Sequence, residues 1–239
     1  MSNYYDIYLK RLNRYGEDYQ TRIQNKREEE FEYYLLKSVY RIDFEYKDNT
    51  HPATFERYKQ DETETLHYLL TRTTLNIPNG TILMLPDKDS VLKPWMVYYL
   101  ETIKASGYNR YIMLKMTHFI TWKDRDNIER TSWAYLYGQE NNMLKDELQS
   151  RSRAGARYTE NLKLSFFIMP LNEYIKKDIY IEIGEEPFKE GYRVTGYDIQ
   201  SSEGIEYVSI DPVYIYDTSP APEKGAEDEE EDFYWLEGK

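Results

Sequence analysis

The chain has 239 residues, no cysteine and a formal charge of −12, so disulfides and thiolate metal sites are excluded and strong attraction to nucleic acid through net charge is not expected. No run of about 18 apolar residues occurs, and the opening MSNYYDIYLKRLNRY lacks the apolar core of a secretory signal, so a cytosolic product without a membrane span is expected. The unusual abundance is aromatic, with 26 Tyr; an apolar ring with a polar tip suits strand faces and partly wet protein interfaces.

The first segment, residues 1–34, reads as helical. Tyr8, Leu12, Tyr15, Tyr19 and Ile23 recur at helical spacing as a narrow apolar stripe among basic residues. Gly16 costs such a helix about 1 kcal/mol relative to Ala and marks a bend or break. A stripe this narrow covers one neighbour, either its own domain or an adjacent subunit, and Tyr8, Tyr15, Tyr19 and Ile23 are candidate subunit-interface residues on the second alternative.

Residues 35–217 read as a β-rich body, with two β subdomains, 35–138 and 161–217, as one possible division. Val39, Arg41, Asp43 and Glu45 alternate with Tyr40, Ile42, Phe44 and Tyr46 in a strand ending at the turn-rich KDNTHP. Residues 63–75 are β-branched and aromatic without clear alternation and are read as strand. In the next strand Trp95, Val97 and Tyr99 share a face, with Pro94 at its entrance. A turn containing Gly107 leads into a half-buried strand that places Ile112, Leu114, Met116, His118, Ile120 and Trp122 on one face. These two strands are expected to form a hairpin, with Trp95 and Trp122 on adjacent strands. A further strand, 128–137, follows the turn signal RDN.

Residues 138–160 are polar and form the longest connection; its Arg151, Arg153 and Arg157 are candidate contacts to DNA phosphates or an acidic partner, a solvated loop being the alternative. Strands are expected again over 162–169, 179–183, 193–199, 205–210 and 213–216, the loop SSEG joining two of them. Several short strands at close spacing predict an antiparallel β-barrel or sandwich. From residue 217 onward nine acidic and two basic residues carry −7 of the −12, leaving −5 for the body. The tail, 218–239, is read as acidic and extended, its block EDEEED solvated. It ends on Phe233, Tyr234, Trp235 and Leu236, the pattern of a docking peptide and a second candidate subunit interface.

Catalysis requires a nucleophile, base and stabiliser brought together, or metal ligands at a recognisable spacing. His51, His67 and His118 occur singly, no Gly-rich phosphate loop is present, and the acidic block lacks the alternating ligands and central glycine of a calcium loop. The chain is therefore expected not to be an enzyme and to hold neither cofactor nor metal.

The order of these motifs resembles the neck proteins of tailed bacteriophages, in particular head-completion or head-tail connector proteins of the stopper type. The residues that carry the resemblance are Trp95, Met96 and Val97 in one strand, Trp122 closing another before a charged turn, and Tyr192, Val194, Asp198, Gly204 and Ile205 in the closing segment, over residues 35–217. The chain departs from that pattern at Thr117 and His118, where the family carries Cys-Asn, and in its acidic, aromatic tail. The resemblance implies a structural virion protein, made in the host cytoplasm. It implies a homo-oligomeric ring below the portal that extends the channel for packaged double-stranded DNA, joins head to tail and helps retain the genome. Its partners would be the portal or an adaptor above and a tail protein below, with no membrane. The alternatives are a tail-completion or other virion structural protein, or a Tyr-rich β-barrel that binds carbohydrate or single-stranded nucleic acid by stacking.

Overall fold

The computed structural model describes residues 4, 6–8, 14, 16, 18–58, 64–87, 89–101, 107–137, 165–184, 189–198 and 204–213. Within them the chain is mainly antiparallel β, preceded by a helix, as the alternating segments predict. Helix α1 spans Tyr19–Lys37. Strands β1 (Arg41–Tyr46), β2 (Asn49–Arg57), β3 (Leu66–Arg72), β4 (Ile82–Pro86), β5 (Leu92–Glu101) and β6 (Tyr108–Lys115) form a six-stranded sheet in the order β1-β2-β3-β6-β5-β4. Strands β7 (His118–Lys123), β8 (Glu129–Tyr137), β9 (Ser165–Pro170), β10 (Tyr180–Ile183), β11 (Glu190–Asp198) and β12 (Ile205–Val213) form a barrel that closes where β10 pairs with β7.

The stretch read as one strand from Tyr111 to Trp122 is therefore two strands in two different sheets. The changeover takes one peptide. The Met116 amide donates to Pro94 O of β5 at 3.0 Å, and the next amide, Thr117, donates to Ala134 O of β8 at 3.1 Å. Side-chain alternation runs through this point in phase, so the apolar pattern carries no mark of the exchange of partners. Trp95 and Trp122 are both buried, but Trp95 belongs to the first sheet and Trp122 to the barrel, so their strands are not adjacent. The hairpin of β5 with β6 does form, with Trp95 opposite Lys115 and Glu101 opposite Arg110. A bulge between Val97 and Tyr99 inserts Tyr98, which turns Tyr99 outward to an exposed position.

The central strands are buried on both faces rather than one. From β5 and β6, Trp95, Val97, Tyr111 and Met113 point into the concavity of the first sheet. Their neighbours Met96, Tyr98, Ile112 and Leu114 point the other way, against Phe166, Ile168, Ile205 and Tyr207 on the barrel wall. The barrel fills its own interior with Ile120, Trp122, Phe167, Met169, Val194 and Val208, among others. Between the two sheets the hydroxyls of Tyr98 and Tyr207 share a hydrogen bond of 3.0 Å, which satisfies two buried phenols at once.

Turns follow local chemistry. Lys47 and Asp48 both take positive φ (50° and 60°) in the two-residue turn between β1 and β2, the backbone that a tight hairpin requires. The turn is confined to these two residues, and Asn49, Thr50, His51 and Pro52 already belong to β2. Pro52 is tolerated because β3 pairs only with residues 54–57 of that strand. Between β7 and β8, Asp124 accepts from the amides of Asp126 and Ile128 and from Arg130 Nε, each at 2.9 Å. Burial pushes the Asp124 carboxyl up, but the Ile128 amide, Arg130 and the Asp126 amide outweigh it and hold it below the usual carboxylate range.

Candidate interaction surface

Helix α1 is set by its ends. Asp18 caps it, accepting from the Thr21 amide at 2.8 Å, and Gly16 lies before the cap at φ 134°, between this helix and the helical residues 4 and 6–8, so of the two alternatives the glycine marks a break and not a bend. The helix also runs three residues past the boundary at 34 that the sequence suggests. Its buried face is not the tyrosine stripe. Phe31 and Leu35 dock on Leu70, with Tyr68 and Tyr108 alongside, and the Phe31 and Tyr108 rings lie 5.1 Å apart. Polar residues complete this face: Thr73 donates to Glu28 at 2.9 Å, and Arg72 grips Glu32 through two nitrogens, Nη2 at 2.8 Å. Tyr34 donates to Glu56 at 2.7 Å. Gly107 lies directly under the helix, where a β-carbon would come within 2.3 Å of the Arg27 carbonyl group.

This seating leaves the opposite face of α1 bare. Tyr33 is 60% exposed and Leu36 70%, and beyond the helix end Val39 is 88% and Tyr40 56% exposed. All four are large, mostly apolar side chains within eight residues, and apolar surface gathered in this way makes a candidate interaction site. Lys37 lies over the Tyr33 ring, 4.4 Å from its centre.

Of the residues singled out in the sequence, Tyr8 and Tyr19 are exposed and Ile23 is half-buried. They do not form one continuous stripe with the docked face, because Gly16 and Asp18 separate Tyr8 from the helix that carries Tyr19 and Ile23. Tyr15, the loop arginines Arg151, Arg153 and Arg157, and the tail residues Phe233, Tyr234, Trp235 and Leu236 lie outside the described residues. The patch of Tyr33, Leu36, Val39 and Tyr40 was missed by the sequence reading. Its signal is the Tyr33, Leu36, Tyr40 spacing, which continues a helical face past residue 35, where the strand pattern begins.

The ionisable groups elsewhere do not converge. Among the described residues no group of three or more His, Asp or Glu is placed to hold a metal. His51 lies beside Phe44, and His67 lies between Phe55 and Trp95, with ring centres 4.7 and 4.6 Å away. His118 is half-buried with Nδ1 2.7 Å from Thr117 Oγ1; burial lowers its pKa, against the pull of Glu190. On the barrel's outer wall a groove of about 480 Å³ runs along Thr121, Lys123, Tyr180 and Glu182. Glu182 there pairs with Lys189 at 3.2 Å, and Asp178 accepts from Arg193 Nε at 3.0 Å.

Among the described residues Glu206 on β12 is the buried carboxyl with both oxygens unpartnered. It is 1% exposed, and neither oxygen reaches a partner in hydrogen-bonding geometry. Burial pushes its pKa up to about 8, opposed by the Asn172 backbone amide and by Lys176, both too weakly placed to offset it.

No family model matches the chain, and no curated protein matches it. Among solved structures it is similar to K. pneumonia MrkH in its apo state, with TM-score 0.24 and 9% identity over 81% of this chain and 85% of that one. A second MrkH structure, described as a c-di-GMP-dependent transcription regulatory factor, gives TM-score 0.22 and 9% identity over 81% of this chain and 84% of that one. At such TM-scores the likeness carries no argument about function.

Proposed function

We propose that this chain is a structural subunit of the neck of a tailed bacteriophage. It assembles as a homo-oligomeric ring below the portal, extends the channel for double-stranded DNA and joins head to tail. The observation that carries this reading is the bare face of α1: large apolar side chains stand exposed on an element whose other face is docked on the sheet. A ring needs such a surface, because a heterologous contact uses one patch on each side of every subunit and closes by rotation. The resemblance in the strands around Trp95, Trp122 and Gly204 supports the assignment to the neck, and the net charge of −12 suits a channel wall. A wall that neutralised phosphates would add sequence-independent affinity and hinder the passage of a duplex, whereas an acidic wall repels it over about 8 Å at physiological salt.

Light scattering on the purified full-length chain tests the reading. The expected result is a discrete mass several times that of one chain, with no appreciable affinity for duplex DNA at physiological salt. Labelling of tailed particles should place the protein at the junction of head and tail. A monomer at every concentration, or tight and salt-sensitive DNA binding by the monomer, overturns the proposal.

A further inference from the structure

The bare face of α1 carries two chemistries in order along its length. Arg22 and Lys26 precede the apolar Tyr33 and Leu36, and positions 22, 26, 33 and 37 fall on one side of a 3.6-residue helix. The first 27 residues hold six basic and three acidic side chains, a basic stretch in a chain that is otherwise acidic. The C-terminal tail carries the complementary pair in the same order, acidic Glu227 to Asp232 and then apolar Phe233 to Leu236.

The spacings agree as well. The middles of the acidic and aromatic blocks lie about five residues apart, or about 16 Å of extended chain. The middles of the basic and apolar stretches of the helix lie about ten or eleven residues apart, or about 16 Å at 1.5 Å per residue. Glu29 and Glu30 lie between the two stretches; Glu29 faces Arg14 at 3.2 Å, and Glu30 faces Lys26 at 3.8 Å, so an incoming acidic block shares Lys26 with Glu30, as it shares Arg22 with the Asp18 carbonyl at 3.2 Å. From Val213, where β12 ends, the 20 residues to Phe233 can span up to about 65 Å, enough to reach an adjacent molecule.

Resting on the ring reading, we infer that the outer face of α1 is the docking surface for the tail of a neighbouring copy. The acidic block lies against Arg22 and Lys26, and Phe233, Trp235 and Leu236 cover Tyr33, Leu36 and Tyr40. The arrangement is head-to-tail: each chain gives a tail on one side and receives one on the other.

The test uses two full-length variants, Leu36→Asp on the helix and Trp235→Asp on the tail. Leu36 is 70% exposed and outside the buried clusters, so Leu36→Asp should melt like the parent, and the melting of Trp235→Asp is measured beside it. Each alone should lose the assembled mass. Mixed together they should form a heterodimer and no larger species, because only one intact helix face and one intact tail remain to meet. Either variant assembling like the parent overturns the inference. A parent that is itself monomeric sinks the ring reading, and docking is then read separately from the anisotropy of a labelled peptide of residues 226–239. Binding to the parent that is lost in Leu36→Asp sustains the docking surface. Binding no better than that of a scrambled peptide overturns it, and binding only to the Trp235→Asp chain places the tail on its own helix and overturns the assignment to a neighbour.

Discussion

The backbone of Gly80 is pressed against the carbonyl of Gly204: a β-carbon built on Gly80 would lie 1.9 Å from that oxygen, and one built on Gly204 would lie 2.2 Å from Asn79 O. Both glycines have φ of +80°, and the same Gly204 oxygen accepts from the Leu171 amide at 3.0 Å. The first sheet and the barrel thus meet backbone to backbone at a point that no side chain can enter. Gly204→Ala should therefore cost about 2–4 kcal/mol, through clash and through backbone strain together. Denaturant unfolding followed by both tryptophan fluorescence and far-UV circular dichroism would read it, and a loss below about 0.5 kcal/mol would mean that the joint yields freely.

Two aromatic residues on β7 offer a matched pair. Trp122 is 2% exposed inside the barrel, whereas Phe119 is 48% exposed on its outside, edge-on to Trp133. Trp122→Ala should cost about 3–5 kcal/mol. Phe119→Ala should cost about 1 kcal/mol or less, the worth of a surface aromatic contact. Equal losses in chemical denaturation would contradict the facing of this strand.

Glu206 makes stability depend on pH in the alkaline direction. Its folded pKa, raised from 4.5 to about 8, means that the folded chain keeps a proton that the unfolded chain has released. The stability linked to this proton is whole below pH 4.5 and is lost as pH rises through about 8. Replacing Glu206 by Gln should remove that slope, so the variant gains on the parent by about 2–4 kcal/mol between pH 5 and 9. Urea midpoints at the two pH values decide the matter; parallel curves for both proteins would show that Glu206 ionises freely.

Leu35 fastens the helix to the sheet. Leu35→Ala should cost about 2–4 kcal/mol and release α1 locally, because its companions in that small cluster are few. Hydrogen exchange should then quicken over Tyr19–Lys37 while β3 and β6 keep their protection. Uniform quickening would show instead that helix and sheet unfold as one unit.

Where the strands lie was largely written in the alternation of residues such as Ile42, Phe44, Ile181 and Ile183, each with a polar or exposed neighbour. Which sheet a strand joins was not. Alternation reports the two faces of a strand and is silent about the partners at its edges, so the exchange between Met116 and Thr117 left no trace. The docked face of α1 was hidden for a different reason. Only Phe31 and Leu35 are deeply buried there, and Glu28 and Glu32 share that side through hydrogen bonds to Thr73 and Arg72. An apolar stripe is a poor guide when half of a contact is polar. The exposed patch of Tyr33, Leu36, Val39 and Tyr40 was overlooked because its residues straddle the end of a helix and the beginning of a strand, where neither period holds.

The double burial of β5 and β6 bears on how the chain can be made. Every strand of the first sheet is encoded between residues 41 and 115, so that sheet can pair while the remainder is still on the ribosome. Its outer face, with Met96, Tyr98, Ile112 and Leu114, is covered only when β9 and β12 arrive, and the barrel cannot close until β10 reaches back to β7. A nascent chain paused before residue 205 lacks Ile205 and Tyr207, so that face is only partly covered, the kind of surface that chaperones hold and that sticks to its own kind. Its shielding is complete only when the last strand is made.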